Sequence, residues 1–297
     1  MIVTIASGKG GTGKTTLAVN LALSFGRPVQ LLDCDVEAPN DHLFLRPRIT
    51  ASNPAGIPVP RIDPEACSAC GDCAALCQFN ALAVLQDKVL VFDELCHGCG
   101  GCLLVCPEGA VTEVLRPIGV VERGHAGAVR VVQGRLDVGE PQAPPLIREV
   151  IRHADRDGVV LIDAPPGTSC PMINAVRGSD LVLLVTEPTP FGLNDLTLAV
   201  ETVRALGLPC AVILNRSDCG DRRVHEYCTA EDIEILLEIP DDRRVAEAYA
   251  RGLPLRAPDR GGRGRSAARG HGRSSIPCRH MNMCAISADT ASSVFSS

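Results

Sequence analysis

Residues 7–16 read SGKGGTGKTT, and this stretch decides the fold. It satisfies G-x-x-x-x-G-K-[ST], the pattern of a loop whose backbone N–H groups surround phosphate oxygens. An apolar, β-branched run, IVTIA at 2–6, precedes the loop, and a helical pattern, TTLAVNLALSF, follows it. A strand, a glycine-rich loop and a helix in this order predict a nucleoside-triphosphate site at the helix N-terminus. The residues expected to contact the nucleotide are Gly8, Gly10, Gly11, Thr12, Gly13, Lys14, Thr15 and Thr16.

This loop contains two lysines. Lys14 is the lysine of the motif and is expected to reach the terminal phosphates, while the Thr15 hydroxyl is expected to bind Mg²⁺. Lys9 lies near the start of the loop, and the motif does not require it. Only three of the 29 basic residues of the chain are lysines, and two of those three are here. In a chain that otherwise uses arginine, this indicates a chemical role for both, with a solvated surface lysine as the alternative for Lys9.

The composition bounds the class of protein. The chain has 297 residues, of which 45% are hydrophobic and 22% charged, as in ordinary globular proteins. The absence of any run of about 18 apolar residues predicts no membrane insertion, and the loop begins too early for a secretory leader, which predicts a cytoplasmic protein. A net charge of −6 and 3% aromatic residues argue against a nucleic-acid partner. Fifteen cysteines point to metal or redox chemistry, because disulfides are rare in a reducing compartment.

Acidic residues follow two further apolar runs. PVQLLDCDVEAPN at 28–40 predicts a strand that ends at Asp33 and Asp35, and GVVLIDAPPGTSCP at 158–171 predicts a strand that ends at Asp163. In open parallel sheets, ligands bind at the carboxyl ends of the strands. We therefore expect these carboxylates near the phosphate loop. A helix cap or a turn is the alternative for each aspartate taken alone.

The rest of the chain alternates between strand and helix patterns. Strand patterns at 180–186 (DLVLLVT) and 210–215 (CAVILN) enclose a helical pattern, and 234–255 reads as a last strand, a loop and a helix. This alternation predicts an α/β fold with a doubly wound, mostly parallel sheet. It is interrupted between Arg48 and about Leu115, where cysteines dominate.

The interruption contains an internal repeat. CSACGDCAALC at 67–77 and CHGCGGCLLVCP at 96–107 each contain C-x₂-C-x₂-C-x₃-C, and the second copy begins 29 residues after the first. This is the register of bacterial ferredoxins with two [4Fe–4S] clusters, in which three cysteines of one run and the fourth of the other hold each cluster. Zinc is the main alternative, but it prefers two C-x₂-C pairs, and a disulfide scaffold fits less well. The register assigns Cys67, Cys70, Cys73 and Cys106 to cluster I, and Cys96, Cys99, Cys102 and Cys77 to cluster II.

The segment KGGTGKT at 9–15 resembles the deviant phosphate loop (deviant Walker A) of the MinD/ParA/nitrogenase-iron-protein class of P-loop ATPases. In that class the early lysine crosses a dimer interface and contacts the phosphates held by the other subunit, so the resemblance implies a homodimer that forms on ATP binding. A cation supplied in trans would stabilise charge on the transferring phosphoryl group, as an arginine finger does. The resemblance implies catalytic roles for Lys9, Lys14 and Asp35 (which would position the attacking water), Mg²⁺ binding by Thr15, Asp33 and Asp163, and adenine recognition by Asn215.

The combination of motifs is similar to MinD superfamily P-loop ATPases that contain an inserted ferredoxin domain. The phosphate loop, LLDCDVEAPN, both cysteine runs, GRLDVGEPQAPPLIREV, LIDAPPGTSCP and TEPTPFGLNDL carry the resemblance. It implies an ATPase domain formed by 1–50 and 116–256, a small α+β ferredoxin-like domain at 51–115, and ATP, Mg²⁺ and two [4Fe–4S] clusters as cofactors. One departure is Gln78, which stands where a proline often follows the fourth cysteine.

Two groups of residues lie outside these motifs. The stretch 257–297 is rich in Gly, Arg and Ser, which predicts a disordered basic tail, with translation from a shifted frame as the alternative. Cys278 and Cys284 in this tail do not form a C-x-x-C pair. Cys34 and Cys170 adjoin the two acidic loops; we expect them to be small core residues, with a redox role as the alternative.

Four functions are considered for a phosphate-loop ATPase with two cysteine runs, and the sequence supports them to different degrees. The first is an ATP-dependent dimer that couples nucleotide state to electron transfer through the two clusters, with a redox protein as partner. The second is an iron–sulfur cluster assembly or carrier ATPase of the Mrp/Nbp35 kind, with a cluster-acceptor protein as partner; such carriers have a late C-x-x-C, and none occurs after Cys106. A membrane-positioning ATPase would require an amphipathic anchor helix, and an amidating ligase would leave the cysteine repeat unexplained.

Overall fold

The structure is a computed structural model, and it describes residues 1–25 and 27–255. The strands are β1 (Ile2–Ala6), β2 (Val29–Asp33), β3 (Arg48–Ile62), β4 (Leu82–Leu85), β5 (Lys88–Val91), β6 (Val111–Ala126), β7 (Val129–Leu136), β8 (Val160–Asp163), β9 (Leu181–Thr186), β10 (Cys210–Asn215) and β11 (Ile235–Ile239). The α-helices are α1 (Lys14–Ser24), α2 (Asp41–Leu45), α3 (Asp72–Leu76), α4 (Gly101–Val105), α5 (Ala143–Ile151), α6 (Cys170–Val176), α7 (Pro190–Ala205), α8 (Arg223–Ala230) and α9 (Arg243–Ala250).

A nine-stranded sheet organises the chain, in the order β11-β10-β9-β1-β8-β2-β7-β6-β3. The seven strands from β11 to β7 pair in parallel, and β6 and β3 continue the sheet in antiparallel pairing. This confirms the predicted α/β fold with a mostly parallel sheet. Because β2 and β8 pair in parallel with Asp33 opposite Asp163, these two carboxylates lie side by side at the carboxyl edge of the sheet.

Apolar side chains cover both faces of the parallel strands, as expected for strands between two helical layers. Alternate residues point to opposite faces, so Ile5 and Leu31 pack against α1 in one core, while Leu32 and Ile162 belong to the other core. The second core also contains Leu146 of α5 and buried residues of α6 and α7. Each such side chain contributes about 1.5–3 kcal/mol when fully buried.

Strands β3 and β6 form a long antiparallel pair that carries the cysteine-rich part of the chain. They pair from Arg48 with His125 to Ile62 with Val111, and the residues 63–110 between them contain α3, α4 and the separate hairpin β4–β5. The predicted limits of the insert, 51 and 115, fall inside these two strands. The pair therefore links the cysteine segment directly to the central sheet.

Two expectations concern other regions. Within residues 1–25 and 27–255, none of the helices combines the length and the hydropathy needed to cross a membrane. The predictions for the tail 257–297, including Cys278 and Cys284, lie outside the described residues.

Candidate functional site

The phosphate loop connects β1 to α1 and turns sharply at glycines. Gly13 has φ +98°, a backbone conformation that side chains rarely adopt, and a Cβ at this position would lie 2.7 Å from Nδ2 of Asn215. Helix α1 begins at the next residue, Lys14. Its free N–H groups therefore face the loop, as an anion site requires.

A cavity beside this loop collects most of the residues predicted to contact nucleotide. It is lined by Asp35 and by the loop residues Gly10, Gly11, Gly13, Lys14, Thr15 and Thr16. It is also lined by Asn215 and Arg216, and by Asp241 and Tyr249 from the chain around α9. Thr12 and Gly8 support the loop from behind: the Thr12 carbonyl accepts a hydrogen bond of 2.8 Å from Asn215 Nδ2, and a Cβ on Gly8 would lie 2.2 Å from the Asp195 carbonyl oxygen.

Three buried carboxylates meet behind the cavity. Oxygens of Asp33, Asp163 and Asp41 all lie within 4.8 Å of one another. Thr15 Oγ1 donates a hydrogen bond of 2.6 Å to Asp163 Oδ2, and Asp33 accepts three backbone N–H groups, from Asp35, Asn40 and Asp41. Sequence reasoning missed Asp41, because an acidic residue in the first turn of a helix is ordinary, and only the turn that bonds the start of α2 to Asp33 brings it here.

The electrostatics of this group favour a cation. Burial, together with the neighbouring carboxylates, raises the pKa of Asp33 and Asp41 well above the usual range, and burial raises the pKa of Asp163 to about 7. Among the described residues, Asp163 Oδ1 and both Asp41 oxygens are buried without a hydrogen-bond donor. Carboxylate and hydroxyl oxygens are the ligands that Mg²⁺ prefers. The donor set therefore fits Mg²⁺, which Thr15 and Asp163 would hold beside the phosphates.

The two lysines of the loop have different surroundings. Lys14 is buried, and burial lowers its pKa, while the charges of Asp163 and Asp35 act in the opposite direction. Lys9 is about one third exposed, and its Nζ lies 3.4 Å from Oε2 of Glu187 at the end of β9. The other oxygen of Glu187 accepts a hydrogen bond of 3.0 Å from Arg216. Glu187 lies within the motif TEPTPFGLNDL, but the sequence did not predict its contact with Lys9, which forms because β1 and β9 are neighbouring strands.

The eight repeat cysteines line two cavities, and Cys73 lines both of them. One cavity is lined by Cys73, Cys77, Cys96, Cys99 and Cys102, and the other by Cys67, Cys70, Cys73 and Cys106. We call these quartet II (Cys77, Cys96, Cys99, Cys102) and quartet I (Cys67, Cys70, Cys73, Cys106). All the cysteines of the described residues are free thiols, so neither quartet is occupied by a disulfide.

Backbone N–H groups point at the sulfurs, which is typical of iron–sulfur sites. Cys77 Sγ accepts from Ala81 at 3.3 Å, Cys106 Sγ from Ala110 at 3.3 Å, and Cys96 Sγ from Gly98 at 3.4 Å. Left-handed glycines at 71, 98 and 100 create the tight turns between ligands. Four sulfurs in each quartet, with N–H groups directed at them, fit [4Fe–4S] clusters.

The remaining cysteines differ in exposure. Cys34 is completely buried, and burial and the adjacent carboxylates raise the pKa of its thiol well above the usual range, so it is a neutral core residue. Cys170 is exposed at the first residue of α6.

A parallel sheet, a phosphate loop at the start of α1 and carboxylates at the ends of β2 and β8 define a P-loop ATPase. The chain belongs to the CobQ/CobB/MinD/ParA nucleotide-binding domain family, whose model matches residues 3–255. ATP binding and ATP hydrolysis follow from this membership, with Mg²⁺ as the expected metal.

Three relatives illustrate the range of the family. An uncharacterized protein of Methanocaldococcus jannaschii is 30% identical over 85% of this chain and 90% of its own length. An iron–sulfur cluster carrier protein of Pyrococcus horikoshii is 24% identical over 85% of this chain and 78% of its own length. The solved structure of the septum site-determining protein MinD from Pyrococcus horikoshii, in complex with Mg-ADP, covers 85% of this chain and 86% of its own, with 22% identity and a TM-score of 0.52. This last similarity establishes the fold.

Proposed function

We propose that this ATPase is an ATP-dependent dimer that couples nucleotide state to electron transfer through two [4Fe–4S] clusters. The ATPase domain would comprise 1–50 and 116–256, and 51–115 would be the inserted ferredoxin-like domain. The observation that carries the proposal is the gathering of the eight cysteines into two sulfur quartets on a strand pair of the central sheet. Such clusters transfer single electrons when bound.

Each group of residues in the nucleotide site would have its own role in binding or hydrolysing ATP. Gly8 and residues 10–16 would bind the phosphates, with Lys14 on the terminal ones, and Asn215 would contact adenine. Thr15, Asp33 and Asp163 would hold Mg²⁺ directly or through water. Asp35, half-buried at the cavity wall, would orient the attacking water. Lys9 would contact the phosphates bound by a second copy of this chain.

A cluster carrier is the second candidate, and the 24% identical carrier protein of Pyrococcus horikoshii is the observation in its favour. Its partner would be an apo-protein that accepts a cluster. The internal ligand sets argue against it, since each quartet is complete within one chain, whereas a transferred cluster needs ligands that release it.

An anaerobic redox titration followed by EPR separates the two. The reconstituted protein is titrated with and without Mg·ATP, alongside Lys9→Ala. A shift of cluster potential or signal shape by Mg·ATP, lost in Lys9→Ala, supports coupled electron transfer. If the cluster potentials are the same with and without nucleotide, and the clusters move to an apo-acceptor protein on incubation, the protein is a cluster carrier instead.

A further inference from the structure

The two quartets differ in their distance from the ATPase core. Cys96 of quartet II is 8% exposed and belongs to the same hydrophobic core as Val59, Ala81 and Ala143, and Cys77 packs against that core. In the described residues, none of the quartet I cysteines belongs to it. Quartet II therefore lies against the ATPase body, and quartet I lies beyond it.

One side chain of the ATPase body holds the main chain of quartet II. Gln142 Nε2 donates a buried hydrogen bond of 2.9 Å to the carbonyl oxygen of Cys96. Gln142 is 8% exposed and occupies the N-cap position of α5. The same turn is fixed to β6 by Glu140, whose two oxygens accept bonds of 2.5 and 3.1 Å from Arg116. The N-terminus of α5 is thus bound to the strand pair and to a cysteine of quartet II.

The same helix contacts the element that follows the nucleotide site. Helix α5 packs on α6 in the shared core, and Arg148 Nη1 donates a bond of 3.1 Å to Asn174 Oδ1 across the two helices. The loop between Asp163 and α6 passes the nucleotide cavity: Pro166 lines the cavity, and Gly167 N–H donates to the Ser7 carbonyl at 3.0 Å. A rigid displacement of α6 by this loop would be transmitted to α5, because packed helices move as units.

A movement of α5 has a defined electronic consequence at quartet II. The Cys96 carbonyl held by Gln142 lies in the same tight turn as the Gly98 N–H group, which is 3.4 Å from Cys96 Sγ. Tilting that turn changes the N–H to sulfur hydrogen bond, and such bonds tune the potential of an iron–sulfur centre.

We propose that Gln142 is the positioning residue through which nucleotide state reaches the clusters, and that only the cluster of quartet II responds. This inference rests on the proposed function. It assigns the two clusters different tasks: the quartet II cluster is controlled by ATP, and the quartet I cluster exchanges electrons at a potential that nucleotide leaves unchanged.

The test repeats the redox titration on variants at Gln142. Gln142→Met keeps the length of the side chain and removes the donor; Gln142→Glu replaces the donor with an oxygen that repels the carbonyl. Gln30→Met is the control, since buried Gln30 also donates to a backbone carbonyl, that of His153 at 2.8 Å, and accepts from the Asp155 N–H at 2.7 Å, away from both quartets. Cys70→Ala and Cys99→Ala, at the exposed ligand of each quartet, assign the two EPR signals.

The expected result is a Mg·ATP-induced shift in the signal that Cys99→Ala removes and none in the signal that Cys70→Ala removes. Gln142→Met and Gln142→Glu should lose at least half of that shift while binding Mg·ATP within about two-fold of wild type, and Gln30→Met should keep it. A shift confined to the quartet I signal, or one that persists in both Gln142 variants, overturns this inference and leaves the proposed function standing. No shift in either signal of the wild type overturns both.

Hydrogen exchange on the wild type gives a reading that does not depend on the variants folding. Mg·ATP should change the exchange of amides at 96–100 and leave those at 67–71 unchanged. Equal changes in the two turns, or a change only at 67–71, would contradict the assignment to quartet II.

Discussion

Lys9 Nζ lies 3.4 Å from Glu187 Oε2 of the same chain, and Glu187 is bound in turn by Arg216 at 3.0 Å. Arg216 follows Asn215 and also lines the nucleotide cavity. Glu187, whose side chain is 10% exposed, therefore holds the lysine that the proposed dimer needs at the partner's phosphates. The Lys9 ammonium group can therefore pair either with Glu187 of its own chain or, in the proposed dimer, with the phosphates bound by the partner.

Replacing Glu187 by glutamine should shift that competition toward the dimer. A partly exposed ion pair contributes about 0.2–1 kcal/mol, and a dimer releases two of them, so the dissociation constant of the Mg·ATP-bound dimer should fall about two- to thirty-fold. Sedimentation of an Asp35→Asn background at graded Mg·ATP, in which hydrolysis is slow if Asp35 orients the water, measures this constant.

The control for this prediction is Glu231→Gln, which breaks the half-exposed ion pair with Arg204 away from the cavity. It should leave the dimer constant within two-fold. Weaker dimerisation in Glu187→Gln would show that Glu187 serves the dimer rather than opposing it.

Two glycines of the phosphate loop should differ sharply when replaced by alanine. A Cβ on Gly8 would meet the carbonyl of Asp195 in α7 at 2.2 Å, whereas nothing lies within 4 Å of a Cβ on Gly10. Gly8→Ala must separate the loop from α7 and should lower the free energy of unfolding by about 1–3 kcal/mol or more. Gly10→Ala should change it by less than about 0.5 kcal/mol. Anaerobic urea unfolding followed by circular dichroism measures both; equal losses would refute the assigned contact.

The central strands were predictable because burial on both faces demands continuous apolar runs, and IVTIA, DLVLLVT and CAVILN coincide with β1, β9 and β10 to within one residue. Strand β3 was not predictable, because Pro54, Pro58 and Pro60 interrupt the residue pattern expected of a strand. It forms at the edge of the sheet, where a strand has one unpaired side and tolerates residues without an N–H group.

In the candidate site, too, some residues could be predicted from the sequence and others could not. The roles of motif residues such as Lys14 and Asp163 can be predicted from the sequence, because phosphate and Mg²⁺ need particular groups at a fixed spacing from the end of a strand. Glu187 and Gln142 have no such spacing, since their partners are distant in sequence: Gln142 reaches a carbonyl 46 residues away, and Glu187 contacts Lys9 near the start of the chain. Contacts of this kind depend on the order of the strands in the sheet, so they cannot be predicted until the fold is known.

The sulfur quartets predict a specific loss of iron. A chain with two [4Fe–4S] clusters holds about eight irons, and Cys70→Ala should lower this to about four by removing cluster I. Cys170→Ala, which removes an equally exposed thiol outside the quartets, should leave the content unchanged. Anaerobic reconstitution followed by iron, sulfide and zinc analysis decides the outcome. Stoichiometric zinc with no acid-labile sulfide would contradict the cluster assignment.

The buried carboxylates predict that the nucleotide-free protein becomes less stable as pH rises. Asp33, Asp41 and Asp163 have folded pKa values above the unfolded value of about 3.9, so the folded state binds more protons than the unfolded state through this window. Their contribution is complete below about pH 4 and is lost as pH rises through the folded pKa, which is about 7 for Asp163. In chelator, the melting temperature should therefore be higher at pH 6 than at pH 8.

Asp163→Asn isolates this contribution from other titrating groups. The amide keeps an oxygen for Thr15 and removes the buried charge that Asp163 carries above its pKa of about 7, so the variant should melt at a higher temperature than wild type at pH 8 and lose part of the difference between pH 6 and pH 8. Asp87→Asn, at an exposed turn, should change neither quantity. Mg·ADP should raise the melting temperature of the wild type more at pH 8 than at pH 6, because Asp163, whose pKa is about 7, is charged at the higher pH, and it should do so weakly in Asp163→Asn. A variant that melts lower than wild type at pH 8 would show that the Asp163 charge is already compensated without Mg²⁺, by Lys14.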